Sequence, residues 1–377
     1  LGVGAVLSVA FAALFLFSGS GLPGVSGEQP SARVELREAK KIVAVLPFEN
    51  LSSAEENDYF SAGVHEDVLH TLGEGSSFDV IGLGSVTNVD QSEKLLETAR
   101  SLDATHVLTG SVRRDGLSVR IGVQLMDPYS GRQLWSERYD RDIEDVFTVQ
   151  MEIAERVADE LHQAIAIDEV RGRNVDPRAY DLFLQARLLT RRANTQDNGR
   201  ALELLDQALD ISPDFVDAYA QKVLVVTYPY LSVRTNEDLK IAASSARRAL
   251  ALDENSWFAN MAMAKYLRLR EQMYGSRDGI AEIRRYIDRS LRLNGADSSV
   301  RLMSIGMHMI AGDLESMFAE ARENLRLDPL SAEANITAGD ALELQGDWVT
   351  AREHYERAVA LEPEFEQART ELFSHYH

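Results

Sequence analysis

Five short phrases in the second half of the chain repeat one pattern: ALDISP at 208–213, ALALDE at 249–254, SLRLNG at 290–295, NLRLDP at 324–329 and AVALEP at 358–363. Their last residues stand 41, 41, 34 and 34 positions apart. A unit of that length is a pair of helices too small to bury its own apolar face, so it must stack on copies of itself. Roughly three such units make an ordered core, and five are present. Residues 177–377 are therefore expected to form an all-α solenoid of about five hairpins, the last one incomplete. The two longer spacings place insertions near 228–235 and 274–278.

The final unit shows the reasons residue by residue. Gly339 stands where two helices approach closely, and Gly346 with Asp347 makes the turn between them. Trp348 and Tyr355 are expected to fill the interhelical space, Ala351 and Ala358 to keep the second helix tight, and Pro363 to stop it. Gly312-Asp313 repeats the turn 34 residues earlier. On these residues the array resembles tetratricopeptide (TPR) hairpins. The resemblance implies a concave groove lined by the first helix of each hairpin. Register from Gly339 and Pro363 turns Glu333, Ile336, Asp340 and Glu343 toward it. Three carboxylates there favour a protein or peptide partner bearing basic groups; the plainer alternative is a solvated acidic face. Met303, Met307 and Met309 fit a core at helical spacing better than an adaptable binding surface.

Residues 41–167 read differently. The run IVAVL at 42–46 is a buried strand stopped by Pro47, and 57–72 places Phe60, Val64, Val68, Leu69 and Leu72 at helical spacing. Strands follow at 78–81, 106–112, 117–126 and 133–139, with a helix at 95–102 and a turn at 127–131. Asp142 is placed to cap a long helix over 143–167, with Asp145 as a weak capping-box partner. Alternating strands and helices closed by a hairpin make a small α/β domain. The chain as a whole is thus multidomain, α/β followed by all-α.

IVAVLPFENLS (42–52), DYFSAGVHEDVLHTL (58–72), ATHVLTGSVRRDG (104–116) and LWSERYDRDIEDVFTVQMEIAERVADEL (134–161) resemble the TolB amino-terminal-like domain of bacterial membrane signalling proteins. PRAYDLFLQAR (177–187) looks like the entry to the repeats that usually follow it. The resemblance implies an extracytoplasmic part of a protein whose effector lies upstream, typically a class III adenylate or guanylate cyclase or a CadC-type winged-helix domain. GLGSVTN at 82–88 replaces the Arg-Thr-Ser-rich segment that this family often carries, so any role of that segment is in doubt.

Residues 1–17 (LGVGAVLSVAFAALFLF) carry no charge. As a helix they reach about 25 Å, slightly under the span of a bilayer core. The run is read as a transmembrane helix cut near its start, tethered by the Gly/Ser/Pro-bearing stretch 18–40; the rival is the apolar core of a signal peptide. The expected placement is single-pass in a bacterial inner membrane, with residues after 17 periplasmic.

A net charge of −21 argues against a nucleic-acid surface. The absence of cysteine excludes disulfides, thiolate zinc sites and cysteine nucleophiles. Gly82 and Gly84 lack the third glycine of a dinucleotide loop, and no P-loop occurs. Asp140, Asp142, Glu144 and Asp145 lack the turn glycine and terminal Glu of a calcium loop. His65 and His70 do not share a helical face, so neither metal nor cofactor is expected. Trp135 and Tyr139 read as packing residues. No catalytic residue is assigned.

The function expected from these readings is a non-catalytic sensor or scaffold segment of a bacterial signalling protein that binds its partner through the repeats. The alternatives are the regulatory half of a class III cyclase or of a winged-helix regulator, and an exported periplasmic TPR adaptor.

Overall fold

A computed structural model describes residues 40–52, 58–87, 95–163, 175–191, 195–227, 234–275 and 279–376. Strand β1 (Ile42–Val45) has no polar residue because Val43, Ala44 and Val45 are fully buried, as expected of an inner parallel strand covered on both faces. Its neighbours are β3 (Asp79–Val80) and β4 (His106–Asp115), both parallel to it. A two-residue strand, β2 (Glu49–Asn50), runs parallel to the far half of β4. β5 (Ser118–Met126) and β6 (Gln133–Asp142) continue antiparallel, giving the order β3-β1-β4-β5-β6.

From β5 outward the burial alternates. Val119, Ile121, Val123 and Leu125 are buried while Arg120 and Gln124 are exposed, the pattern of a sheet with one packed and one open face. Helices α1 (Asp58–Gly73) and α4 (Val146–Leu161) pack on each other and on the sheet; α2 (Leu83–Val86) and α3 (Leu95–Ser101) complete the unit.

The expected helix over 143–167 is corrected at both ends. β6 holds the backbone extended to Asp142, with the Ile143 N–H donating to the Leu117 carbonyl at 2.8 Å. A single 3-10 turn, Ile143–Asp145, then precedes α4, and neither Asp142 nor Asp145 makes a side-chain cap. The helix stops where His162 turns left-handed at φ 53°. Residues 164–167 lie outside the described residues.

The remainder is helical: α5 (Pro177–Arg191), α6 (Thr195–Ile211), α7 (Val216–Thr227), α8 (Asn236–Leu252), α9 (Trp257–Tyr274), α10 (Ile280–Leu293), α11 (Ser298–Ala311), α12 (Leu314–Leu327), α13 (Ala332–Leu344), α14 (Trp348–Leu361) and α15 (Glu366–His375). They form five successive hairpins and one further helix, and most of the insertions near 228–235 and 274–278, which lengthen two of the repeats to 41 residues, lies outside the described residues. Ser256, Asp297, Asp313, Ser331 and Asp347 each accept a backbone N–H three residues on, satisfying first-turn donors that a helix leaves unpaired.

In the fifth hairpin a Cβ on Gly339 would sit 2.5 Å from the Tyr355 ring. Gly346 adopts φ +83° in the turn, a conformation glycine enters without steric cost. Ala351, Tyr355 and Ala358 are buried, and α14 ends two residues before Pro363. Trp348 is corrected: at 58% exposure on the first turn of α14 it lies outside the interhelical space, where Tyr355 alone already closes the gap over Gly339.

The inner-membrane, single-pass, periplasmic placement is also corrected. Among the described residues no helix is long and apolar enough to cross a membrane; the longest, α9, carries Lys265, Arg268, Arg270 and Glu271. The apolar run 1–17 itself lies outside the described residues, as does most of the tether.

The sheet unit and the repeats share one core. Phe60, Val64 and Leu69 of α1 belong to the same buried cluster as Tyr180, Phe183 and Leu184 of α5. Four glycines of the sheet unit lie where the repeats press closest. A Cβ would meet Leu184 at 2.6 Å from Gly63, Asn294 at 2.5 Å from Gly73, Asp328 at 2.6 Å from Gly82 and Ser331 at 2.8 Å from Gly84. The last three contacts fall where one hairpin joins the next, so the sheet unit rests along that edge of the solenoid.

Candidate functional site

Helices α9 and α13 are equivalent positions of the repeat, two hairpins apart. Ser256 and Ser331 cap them 75 residues apart. Asn260 and Asn335, at the same offset, each donate their side-chain amide to two carbonyls of the preceding turn at 2.7–3.0 Å. Positions at that offset therefore share a helix face. Lys265 corresponds to Asp340 and Arg268 to Glu343; Phe258 corresponds to Glu333 and Met261 to Ile336. The same face is thus cationic on the third hairpin and acidic on the fifth.

The acids are not equally free. Glu333 is exposed on the first turn of α13; the surrounding protein raises its pKa, with Glu362 adding repulsion and Lys265 opposing. Ile336 is buried at 1% exposure and packs with Ala332, Ala351, Tyr355 and Ala358. Asp340 accepts the Tyr355 hydroxyl at 2.8 Å. Burial pushes its carboxyl up to about 7, the Tyr355 bond opposes this, and the Glu371 and Glu343 charges add to the rise. The Glu371 carboxyl is likewise raised, by burial and then Glu343. Glu343 pairs with His375 of α15.

On α9, Lys265 is half-buried and Arg268 exposed, and among the described residues neither forms a hydrogen bond or ion pair. Desolvation by the surrounding protein lowers both pKa values, and for Lys265 the Arg268 charge lowers it further. Two cations at i and i+3 with unspent donors can bind a carboxylate through charge-assisted hydrogen bonds.

The edge beside this face is occupied by the sheet unit. The Trp257 indole donates to Glu74 at 2.9 Å, and the His70 ring lies 5.0 Å from Trp257. Ser85 donates to Asp328 at 2.5 Å, and Arg326 pairs with Asp79 at 2.7 Å. At the first hairpin Arg187 donates to Asp67 at 2.8 Å and to the Gly63 carbonyl at 3.1 Å, and lies 3.2 Å from Glu66, which also meets Arg191. Tyr180 donates to Asp67 and Gln150 reaches it at 3.3 Å. This network fastens α1 to α5.

No group of three or more His, Asp or Glu among the described residues is arranged to hold a metal. His65 is buried, donating to the Val45 carbonyl at 2.9 Å, and burial lowers its pKa to about 4. Trp135 and Tyr139 are buried on the packed face of the sheet. Met303 and Met307 are core residues, whereas Met309 is 54% exposed. Sequence reasoning missed Lys265 and Arg268; the shared Ser-x-x-x-Asn spacing of α9 and α13 was the available signal.

The family model described as tetratricopeptide repeat matches residues 332–365, the fifth hairpin. The chain carries TPR repeats: a mostly helical solenoid with a small mixed sheet. Over 239 residues it is 31% identical to a protein of Rhizobium meliloti (strain 1021) named "Putative adenylate cyclase 3"; the match covers 61% of this chain and 40% of the relative. The chain therefore spans about two fifths of the length of that curated relative. Among solved structures, a TPR protein of Thermus thermophilus is similar at 15% identity and TM-score 0.43, covering 52% of this chain and 98% of that one. A second TPR protein, YrrB, is similar at 20% identity and TM-score 0.34, covering 52% of this chain and 91% of that one.

Proposed function

We propose that the chain is the non-catalytic regulatory part of a bacterial signalling protein and that its repeats bind an extended segment of a partner protein. The observation that carries this reading is the reversal of charge between equivalent positions of α9 and α13. A segment with an acidic group toward Lys265 and Arg268 and a basic group toward Glu333, Asp340 and Glu343 satisfies both ends. Uniform solvation of the face has no use for unpaired cations beside one another. Ile336 supplies packing beneath the acids rather than contact. Under this reading residues 41–167 are a TolB amino-terminal-like domain that props one edge of the groove.

The test is selection of displayed random peptides against the chain. Enriched peptides are expected to carry acidic and basic residues at opposite ends, and Lys265→Glu should abolish their binding. Equal retention of those peptides by Lys265→Glu and by Asp340→Lys would refute the reading.

A second reading, from the R. meliloti relative, makes the chain the regulatory half of a nucleotide cyclase whose effector domain lies elsewhere in the full protein. A full-length protein that forms cyclic nucleotide at a rate altered by Lys265→Glu would support it; one with no upstream cyclase sequence would exclude it.

A further inference from the structure

The open face of the sheet holds a depression of about 750 Å³ over β2, β4, β5 and β6. The register lays out what lines it. In the middle row Glu49, Ser111, Gly122 and Arg138 stand side by side across the four strands. One row away, Arg113 lies directly opposite Arg120, which lies opposite Asp140; on the other side Gln124 lies opposite Ser136.

Two features of this face have no use in the fold. Like charges directly opposite on neighbouring strands are destabilising, yet Arg113 and Arg120 are so placed. Asp140 pairs with Arg120 only, and Arg113 is held by its Nε to the Leu51 carbonyl at 3.1 Å. Gly122 is the second. Its backbone is not in the left-handed region, and an added Cβ would meet only the Ser111 hydroxyl, at 3.3 Å. A β-branched residue would suit that strand position better. Glycine leaves the floor of the depression open.

Around that floor several donors are unspent. Among the described residues Arg138 makes no hydrogen bond or ion pair, and neither do the side chains of Ser111, Gln124 and Ser136. Three guanidinium groups, Arg113, Arg120 and Arg138, share this face with the Glu49 and Glu137 carboxylates, and Asp140 already pairs with Arg120, so an anion would be held by direct guanidinium contact rather than by a net positive field. A docked helix is disfavoured, because among the described residues Leu51 is the one large apolar side chain at the rim and helix docking relies on several buried apolar anchors.

We infer that this depression binds a small polyanion carrying two carboxylate or phosphate groups. Arg113 and Arg120 hold one group between them, which relieves their mutual repulsion. Arg138 takes the other, and Ser111, Gln124 and Ser136 donate to oxygens between. Arginine's planar fork suits bidentate contact with either kind of group. The site is separate from the helical groove and stands without it.

The experiment is calorimetric titration of the 377-residue chain with citrate and with inorganic pyrophosphate, the two probes separating carboxylate from phosphate preference. One saturable site for at least one probe is expected. Arg138→Gln should weaken it by about tenfold or more, the loss of a charge-assisted pair. Gly122→Val, which keeps every charge and fills the floor, should weaken it similarly while the far-ultraviolet circular dichroism stays unchanged. Absence of saturable binding of either anion at millimolar concentration would overturn the inference. So would wild-type binding by either variant.

Discussion

Arg187→Ala tests the attachment of the sheet unit to the repeats. Arg187 is the shared cation of Glu66 and Asp67, at 3.2 and 2.8 Å, and its side chain is 13% exposed against 4% and 15% for the two acids. Removing one partner of a buried pair leaves uncompensated charge and costs about 3–5 kcal/mol. Arg191 still reaches Glu66, so the loss is concentrated on Asp67, whose remaining donors are Tyr180 and Gln150. At about 2 °C per kcal/mol for a unit of this size, the melting midpoint should fall by roughly 6–10 °C at pH 7.5.

The pH dependence gives the signature. In the wild type, burial works to raise the Asp67 carboxyl, but Arg187 and the Tyr180 hydroxyl outweigh it and hold it below the usual range. A depressed folded pKa contributes stability above the unfolded value near 3.8 that is lost as pH falls through the folded one. Without Arg187, burial dominates and the folded pKa rises, so stability is lost as pH climbs above about 4. The gap between wild type and variant should be widest at neutral pH and shrink toward pH 4. Replacing Asp67 by Leu together with Arg187 by Met should recover much of the loss, because both charges leave together. Calorimetric melting from pH 4 to 8 reads all of this. A midpoint within 1 °C of wild type, or a gap that does not change with pH, would refute the reasoning.

Asp340→Asn keeps an acceptor for Tyr355 while removing a carboxyl pushed up to about 7. The folded state holds a proton that the unfolded chain releases near pH 4, so wild-type stability falls as pH rises from about 4 to 7. The variant should gain roughly 1–2 kcal/mol at pH 8, after allowance for solvent screening, and nothing at pH 4; equal gain at both values in thermal melts would count against it. Gly82→Ala sets a methyl 2.6 Å from Asp328 and should cost about 1–3 kcal/mol by overpacking, read as a lowered denaturation midpoint in urea. An unchanged midpoint would mean that the sheet unit does not press on the solenoid there.

What the sequence made legible follows from how local the cause is. The caps, turn glycines and alanines of the fifth hairpin act within one repeat, and the period exposes them: Gly339 and Tyr355 are 16 residues apart and meet. Strand β2 is two residues long and has no period to read. Trp348 is of a residue type that favours burial, which points to the interhelical space, but its place on the first turn of α14 leaves it in solvent. The glycines at 63, 73, 82 and 84 are invisible for a different reason. Gly82 and Gly84 look like a fragment of a phosphate loop until Asp328 and Ser331, more than 240 positions later, are seen to occupy the missing side-chain space. The proposed groove is legible only in part, because a single repeat cannot set its chemistry; applying the same register to α9 finds the opposite charge.

The same long-range contacts decide how the proposed binding events could act on the fold. A ligand moves a conformational equilibrium only by its difference in affinity for the two states, and coupling free energies between sites are typically about 1–3 kcal/mol. Peeling the sheet unit from the repeats would break the Arg187 network, although its charges would regain water and so offset most of that loss. It would also expose Trp257, 3% exposed and bonded to Glu74, together with the core that α1 and α5 share. Ordinary ligand energies are therefore too small to separate the two. Under the two proposals, a peptide in the groove and an anion on the sheet would both act on one compact unit, and what either could change is that unit's contact with something outside it. Regulation built on this segment should accordingly survive substitutions that stiffen the α1–α5 contact and fail with those that sever it.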